Sequence, residues 1–323
     1  LSSAASDVYK RQNIVSGKER IKMKNRQRLG KTTVAIVVST LAFSNCAWGL
    51  PQGGTVVTGN GSYTSSGNQM DITGTGNVSV KWDSFNVAAG ETVNFKNMNA
   101  ILNYVTGRQG SEIFGALNGQ GVHVFLINPN GILFGKTAQV NVGQLTASTR
   151  SLEKADLNSF NGSLSPLDAG GAANVKADII NLGKLKAGKL VLEGNNLSII
   201  DAESLEVADK SKITLRAGEN INIGYEVTDK TTINVGDGKG NTYQVSDYGK
   251  GGDDKASDVL SAVSVTDLKG STKSINDAML VHDVYELQAI DRNTGTINGS
   301  SYVVGNYMLA GDIDACLLYT SPS

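Results

Sequence analysis

The spacing of the apolar residues constrains this chain most. From Asp178 onward they fall in short runs: Ile179-Ile180, Leu190-Val191-Leu192, Ile199-Ile200, Leu205 with Val207, Ile213 with Leu215, and Ile221 with Ile223, the last five starting about eight residues apart. Between them lie Gly194-Asn195-Asn196, Asp201-Ala202-Glu203-Ser204, Asp209-Lys210-Ser211-Lys212 and Ala217-Gly218-Glu219-Asn220. These are turn formers, because Gly and Asn tolerate positive φ while Asp and Ser bond their own backbone. Helical spacing is not sustained anywhere in the stretch, so the prediction is an all-β protein of many short strands and no long helix. The 38 glycines and 4 prolines agree with it.

Even spacing fits a β-sandwich or a β-solenoid, and spacing alone does not separate them. Length favours the solenoid, which grows by adding coils that each bury a face on the last. At ~20 residues per coil and ~4.8 Å between stacked strands, roughly 13 coils would make a rod about 60 Å long. The first coil would expose its strand edges and needs a cap. Leu50 to about Asp71 is placed to supply an N-terminal β cap.

The ends read differently. Ser2 to Gln12 can be encoded by a transposase mosaic-end sequencing adaptor, and Cys316 to Ser323 by its reverse complement in a shifted frame. Residues 1–12 and 316–323 are therefore expected to be adaptor-derived, and 13–22 an untranslated leader, since Lys18-Glu19-Arg20 can be encoded by a ribosome-binding site. Translation is then expected from Met23. Lys24, Arg26, Arg28 and Lys31 form a basic region, Thr32 to Phe43 is apolar, and Ala47-Trp48-Gly49 offers small residues for cleavage before Leu50. Residues 23–49 thus read as a Sec signal peptide. The apolar run falls short of the ~18 residues needed to span a bilayer. Asn45 before Cys46 argues against a lipoprotein signal.

From Leu50 to Ala315 there are 20 Lys and Arg against 28 Asp and Glu, a net charge of −8. Nucleic acid is not the expected partner. Both cysteines, Cys46 and Cys316, lie outside this segment. A chain that threads a pore unfolded carries no pre-formed cross-links, and the absence of cysteine suits that route.

The most distinctive stretch is Gly121 to Gly135. Val122, Val124 and Leu126 alternate with His123, Phe125 and Ile127, as in a strand covered on both sides. Asn128-Pro129-Asn130-Gly131 then turns the chain, with Pro129 fixing φ and Asn130 and Gly131 tolerating positive φ, and Ile132 resumes a buried strand. On physics alone this is a tight turn inside a core. With Trp82-Asp83-Ser84-Phe85-Asn86-Val87, Glu91 to Phe95, Asn103 to Gly107, Ser111-Glu112-Ile113, Gly115-Ala116-Leu117 and Val140 to Thr149, it resembles the secretion domain of filamentous haemagglutinins and related haemolysins, the two-partner exoproteins.

The resemblance implies a right-handed parallel β-helix over 50–283, recognised in the periplasm by a dedicated outer-membrane barrel transporter. It makes Asn128, Pro129, Asn130, Gly131 and Ile132 the candidate recognition motif. The wider expectation is the export module of a large surface adhesin that uses the Sec translocon and meets a host or neighbouring-cell receptor. A haemolysin-like or contact-dependent toxin is the rival. Val284 to Ile290 and Gly305 to Ala315 resemble the opening of glycine-rich adhesin repeats, so 284–315 is expected to begin them. Residues 257–277 interrupt the strand rhythm and are expected to form a loop or short helix outside the coils.

No catalytic residue or cofactor is expected. His123 and His282 lack metal-ligand spacing, and Asp237 to Asn241 departs from a calcium loop at Lys239. Some β-helices cleave polysaccharides, for which Asp201, Glu203 and Glu206 are the candidate carboxylates. Their turn and outward positions explain them equally as solvated groups.

Overall fold

The computed structural model describes residues 49–165, 174–226, 256–268, 273–282 and 306–310, with short strands at 36–37, 230–234, 242–246, 294–297 and 300–303. The adaptor-like ends, Ala47 and the rest of the cleavage region up to 48, Asp237 to Asn241 and Val284 to Ile290 lie outside the described residues. What is described is a parallel β-helix with three faces.

Strands β1 (Ile36–Val37) and β2 (Thr55–Ser66) precede β3 (Gln69–Trp82), β4 (Thr92–Lys96), β5 (Ala100–Val105), β6 (Ser111–Ile113), β7 (Ala116–Ile127), β8 (Ile132–Phe134) and β9 (Gln139–Ser148). They are followed by β10 (Ile179–Asn181), β11 (Lys184–Ala187), β12 (Leu190–Gly194), β13 (Leu197–Ile199), β14 (Leu205–Glu206), β15 (Ile213–Ala217) and β16 (Ile221–Tyr225). The last are β17 (Lys230–Asn234), β18 (Thr242–Ser246), β19 (Ser264–Asp267), β20 (Asn276–Val281), β21 (Thr294–Ile297), β22 (Ser300–Val303) and β23 (Tyr307–Leu309).

One face stacks β6, β8, β10, β13, β16, β20 and β23. The other two share the long strands β3, β7 and β9, which turn a corner and pair differently at each end. Their first halves continue through β4, β11 and β14, and their second halves through β5, β12, β15 and β19. All these pairings are parallel, so every residue sits above its counterpart in the previous coil. Val124, Leu145, Leu190 and Ile213 form one such inward ladder, each at most 1 % exposed.

The cap is a hairpin. Strand β2 runs antiparallel to β3, and Tyr63 brings its ring to 5.0 Å from that of Trp82, which meets Phe85 edge-on. The cap therefore reaches Trp82, beyond the expected Asp71. Leu50, the expected first mature residue, is 7 % exposed and joins the core.

Among the described residues, seven strands follow β1 in the stack on the first face, against the 13 coils expected. Partners Ile179, Leu197 and Ile221 stand 18 and 24 residues apart. Ile132 to Ile179 takes 47 and Asn222 to Asn276 takes 54. With these two longer steps and the cap, the described coils make a stack of about 35 Å at ~4.8 Å per coil.

The expected interruption at 257–277 is only partly so: Ala256–Val259 is a short helix, but β19 pairs with β15 and belongs to a coil. Two antiparallel hairpins, β17 with β18 and β21 with β22, stand apart from the ladders. Beyond residue 283 the solenoid continues, since β23 stacks on β20. β1, from the apolar stretch read as a leader, pairs on β23, and cleavage after Gly49 would remove it.

Candidate functional site

The motif expected to matter is a corner between β7 and β8. Gly131 has φ of +112°, a region closed to residues with a side chain. A Cβ there would lie 3.3 Å from the Asp178 carbonyl oxygen of the next coil. Among the described residues Asn97 is the non-glycine with positive φ; Asn130, though it tolerates positive φ, keeps it negative, and Gly131 alone supplies the left-handed step.

Asn128 has no exposed surface, and its amide is engaged on every side. Its Nδ2 donates to Gln109 O and to Ser111 Oγ, both at 3.0 Å, and its Oδ1 accepts from the Asn130 backbone N at 2.9 Å. Its backbone N donates to Ser148 O at 3.0 Å, and its carbonyl accepts from Gly131 N at 3.1 Å. One residue thereby ties the coil before it and the coil after it to its own turn. Asn130 is exposed but donates Nδ2 to Gly107 O at 2.8 Å. Pro129 is half-buried, and Ile132, 3 % exposed, starts β8 and donates its N to Asp178 O at 3.1 Å.

The other matching blocks do similar work. Trp82 donates Nε1 to Asn103 Oδ1 at 3.1 Å inside the core, and Asn103 donates to Phe125 O. Asn86 Oδ1 accepts from Glu112 N at 2.9 Å, and Glu91 Oε2 from Ala88 N at 2.8 Å. The side chains that carry the resemblance join one coil to the next or close a turn.

The remaining candidates stay apart from this corner. Asp201 Oδ1 accepts from Ser204 N within its own turn, and Glu206 faces Lys184 at 3.7 Å. Among the described residues no three His, Cys, Asp or Glu side chains gather as a metal-ligand set. His282 Nε2 lies 2.9 Å from Glu226 Oε1.

His123 stacks on Phe125 with ring centroids 3.9 Å apart and bonds Thr146 Oγ1 at 2.9 Å. Burial, with a smaller contribution from the Lys189 charge, pushes its imidazole down to about 4. An unfolded chain protonates this group near 6.5. Its contribution to stability is therefore fully present above pH 6.5 and is lost as pH falls from there through 4. With allowance for its partial exposure, the loss is about 1 to 2 kcal/mol. Denaturation midpoints across that window should fall less in His123→Gln than in the parent.

Sequence reasoning missed one pair entirely. Glu193 is 1 % exposed and Arg150 8 %, and they form a two-pronged ion pair. Strand alternation points Glu193 outward, toward expected solvent. The one hint was the long gap between the apolar runs that became β9 and β10.

A family model described as TPS secretion domain matches residues 47–299. The chain belongs to this family. It is a secretion domain of a two-partner exoprotein, of the class exported through the periplasm with a dedicated outer-membrane transporter and secreted or held at the surface of Gram-negative bacteria.

A heme/hemopexin-binding protein of Haemophilus influenzae is 33 % identical over 177 residues, covering 53 % of this chain and 19 % of that protein. A second protein of that name, also from Haemophilus influenzae, is 35 % identical over 89 residues, covering 27 % and 10 %. The chain thus spans a fifth or less of the length of these relatives. The crystal structure of the HMW1 secretion domain from Haemophilus influenzae aligns with a TM-score of 0.41 and 19 % identity over 72 % of this chain and 68 % of that one. The secretion domain's matched range includes the cap, the corner and all the coils through β20.

Proposed function

We propose that this secretion domain is the N-terminal export module of a large surface adhesin. It acts by folding and binding, not by catalysis. The leader hands the chain to the Sec translocon, the transporter takes it across the outer membrane, and the parts beyond the module meet a host or neighbouring-cell receptor. The periplasm offers no ATP, so coils stacking outside the cell, each burying apolar surface on the last, oppose back-sliding.

The burial of Asn128 carries the reading of the motif. A side chain with no exposed surface and partners in two neighbouring coils serves the fold first. Whatever the transporter reads at this corner in the folded state is restricted to Pro129, Asn130 and backbone.

The test is a fusion of residues 23–315 to a reporter enzyme, expressed with and without the cognate transporter. The reporter should reach the medium only with the transporter, and the released protein should begin at Leu50. Reporter retained in the periplasm in both cases would overturn the export reading, and a different first residue would move the cleavage site.

A further inference from the structure

Outward positions of a solenoid strand normally meet water, yet one outward ladder here is covered. Tyr104, Ile127, Ser148, Glu193 and Arg216 stand in register on successive coils, apolar at the cap end and charged further on. Residues 151–165 leave the solenoid directly after β9 and fold back across it. Leu157, in the short helix Lys154–Asn158, and Phe160 pack on Leu102, Phe125 and Ile127. Phe160 meets the Phe125 ring edge-on at 5.3 Å. Thr58 and Ser79 of the cap donate their hydroxyls to Leu157 O at 3.0 and 2.9 Å.

The root of this strap is Arg150. Its Nε donates to Glu193 Oε1 and its Nη2 to Glu193 Oε2, each at 2.7 Å, while Nη1 reaches Ser165 O at 2.7 Å. Ser148 Oγ donates to the same carboxylate at 2.6 Å and Arg216 Nη1 at 3.2 Å. One guanidinium therefore holds the beginning of the strap, its far end and the following coil.

We propose that Arg150 and Glu193 form a latch: the strap of residues 151–165 closes over the outer face only when the coil carrying Glu193 has stacked, and the pair then holds it shut. Without its carboxylate the covered guanidinium bears its desolvation penalty alone, which favours the open strap. Glu193 lies 43 residues after Arg150. In a chain that emerges N-terminus first, as the export reading requires, the strip of Leu102, Phe125 and Ile127 stays uncovered until that coil arrives. The cover thus reports that the inner stack beneath it is complete.

Hydrogen exchange read by mass spectrometry on the purified full chain tests the latch with no transporter present, so its outcome is independent of the export reading. In Glu193→Gln the amides of 154–160 should exchange at least tenfold faster, with those of 197–199 and 221–225 unchanged. Arg150→Met with Glu193→Met, which removes both charges and leaves neither unpaired, should restore much of the protection. Arg150→Lys, which keeps the charge but loses the fork to Ser165, should give an intermediate rate and decides the matter if Glu193→Gln does not fold. Unchanged exchange at 154–160 in these variants would show that Leu157 and Phe160 hold the strap unaided. A uniform rise across all coils would show that the pair serves the solenoid as a whole. Either result overturns the latch.

Discussion

Gly131→Val is expected to lower the thermal midpoint of the purified secretion domain by about 10 °C and to cut its secreted yield several-fold. Two costs add at this position. A β-branched residue held near φ of +112° carries about 1 to 3 kcal/mol of strain, and its Cβ meets the Asp178 carbonyl oxygen of the next coil at 3.3 Å. A total near 3 kcal/mol corresponds to roughly 6 to 12 °C for a domain of this size. The turn leads from β7 into β8, the strand on which β10 of the next coil stacks, so nucleation of the coils should slow with it. Secretion at the parent level by a destabilised Gly131→Val would separate export from folding at this corner and defeat the folding role.

Asn128→Ala is expected to cost about as much, roughly 2 to 4 kcal/mol, because truncation empties a site with no exposed surface and breaks three side-chain hydrogen bonds at once. Gln109 O, Ser111 Oγ and Asn130 N each lose a bond, the one to Ser111 within the core. Asn130→Ala removes two bonds from an exposed side chain, to Gly107 O at 2.8 Å and a longer one to Asn128 Oδ1 at 3.3 Å, and should cost about 1 kcal/mol or less. Denaturation midpoints and secreted yields measured on the same variants then discriminate. If the corner works by folding, yield follows stability, with Gly131→Val and Asn128→Ala far below Asn130→Ala. If the transporter reads the Asn130 side chain, Asn130→Ala loses secretion while its midpoint stays near that of the parent.

Much of this architecture is legible in the residues themselves. Short β-branched runs parted by Gly, Asn, Asp and Ser can only be strands and turns, because local sterics and side-chain-to-backbone bonds decide both within a few residues. The corner at Asn128 to Gly131 was visible for the same reason. The number of coils was not, because a run of residues outside the solenoid looks much like one inside it when its strands and turns use the same alphabet. Residues 264–267 show the converse, reading as an interruption yet supplying β19.

The sequence by itself determined the strand period, the turns, the family and the need for a cap, since each rests on contacts between near neighbours or on a motif read in order. Only the tertiary structure decided that Asn128 aims inward, that Asn130 keeps negative φ while Gly131 takes the left-handed step, and that Glu193 is buried. Alternation along a strand assigns its side chains to two faces but does not say what covers the outer one. That depends on where residues 151–165 fold back and on which coil lies in register beneath them, and Arg150 and Glu193 meet across 43 residues of chain through a stacking order that no local pattern encodes.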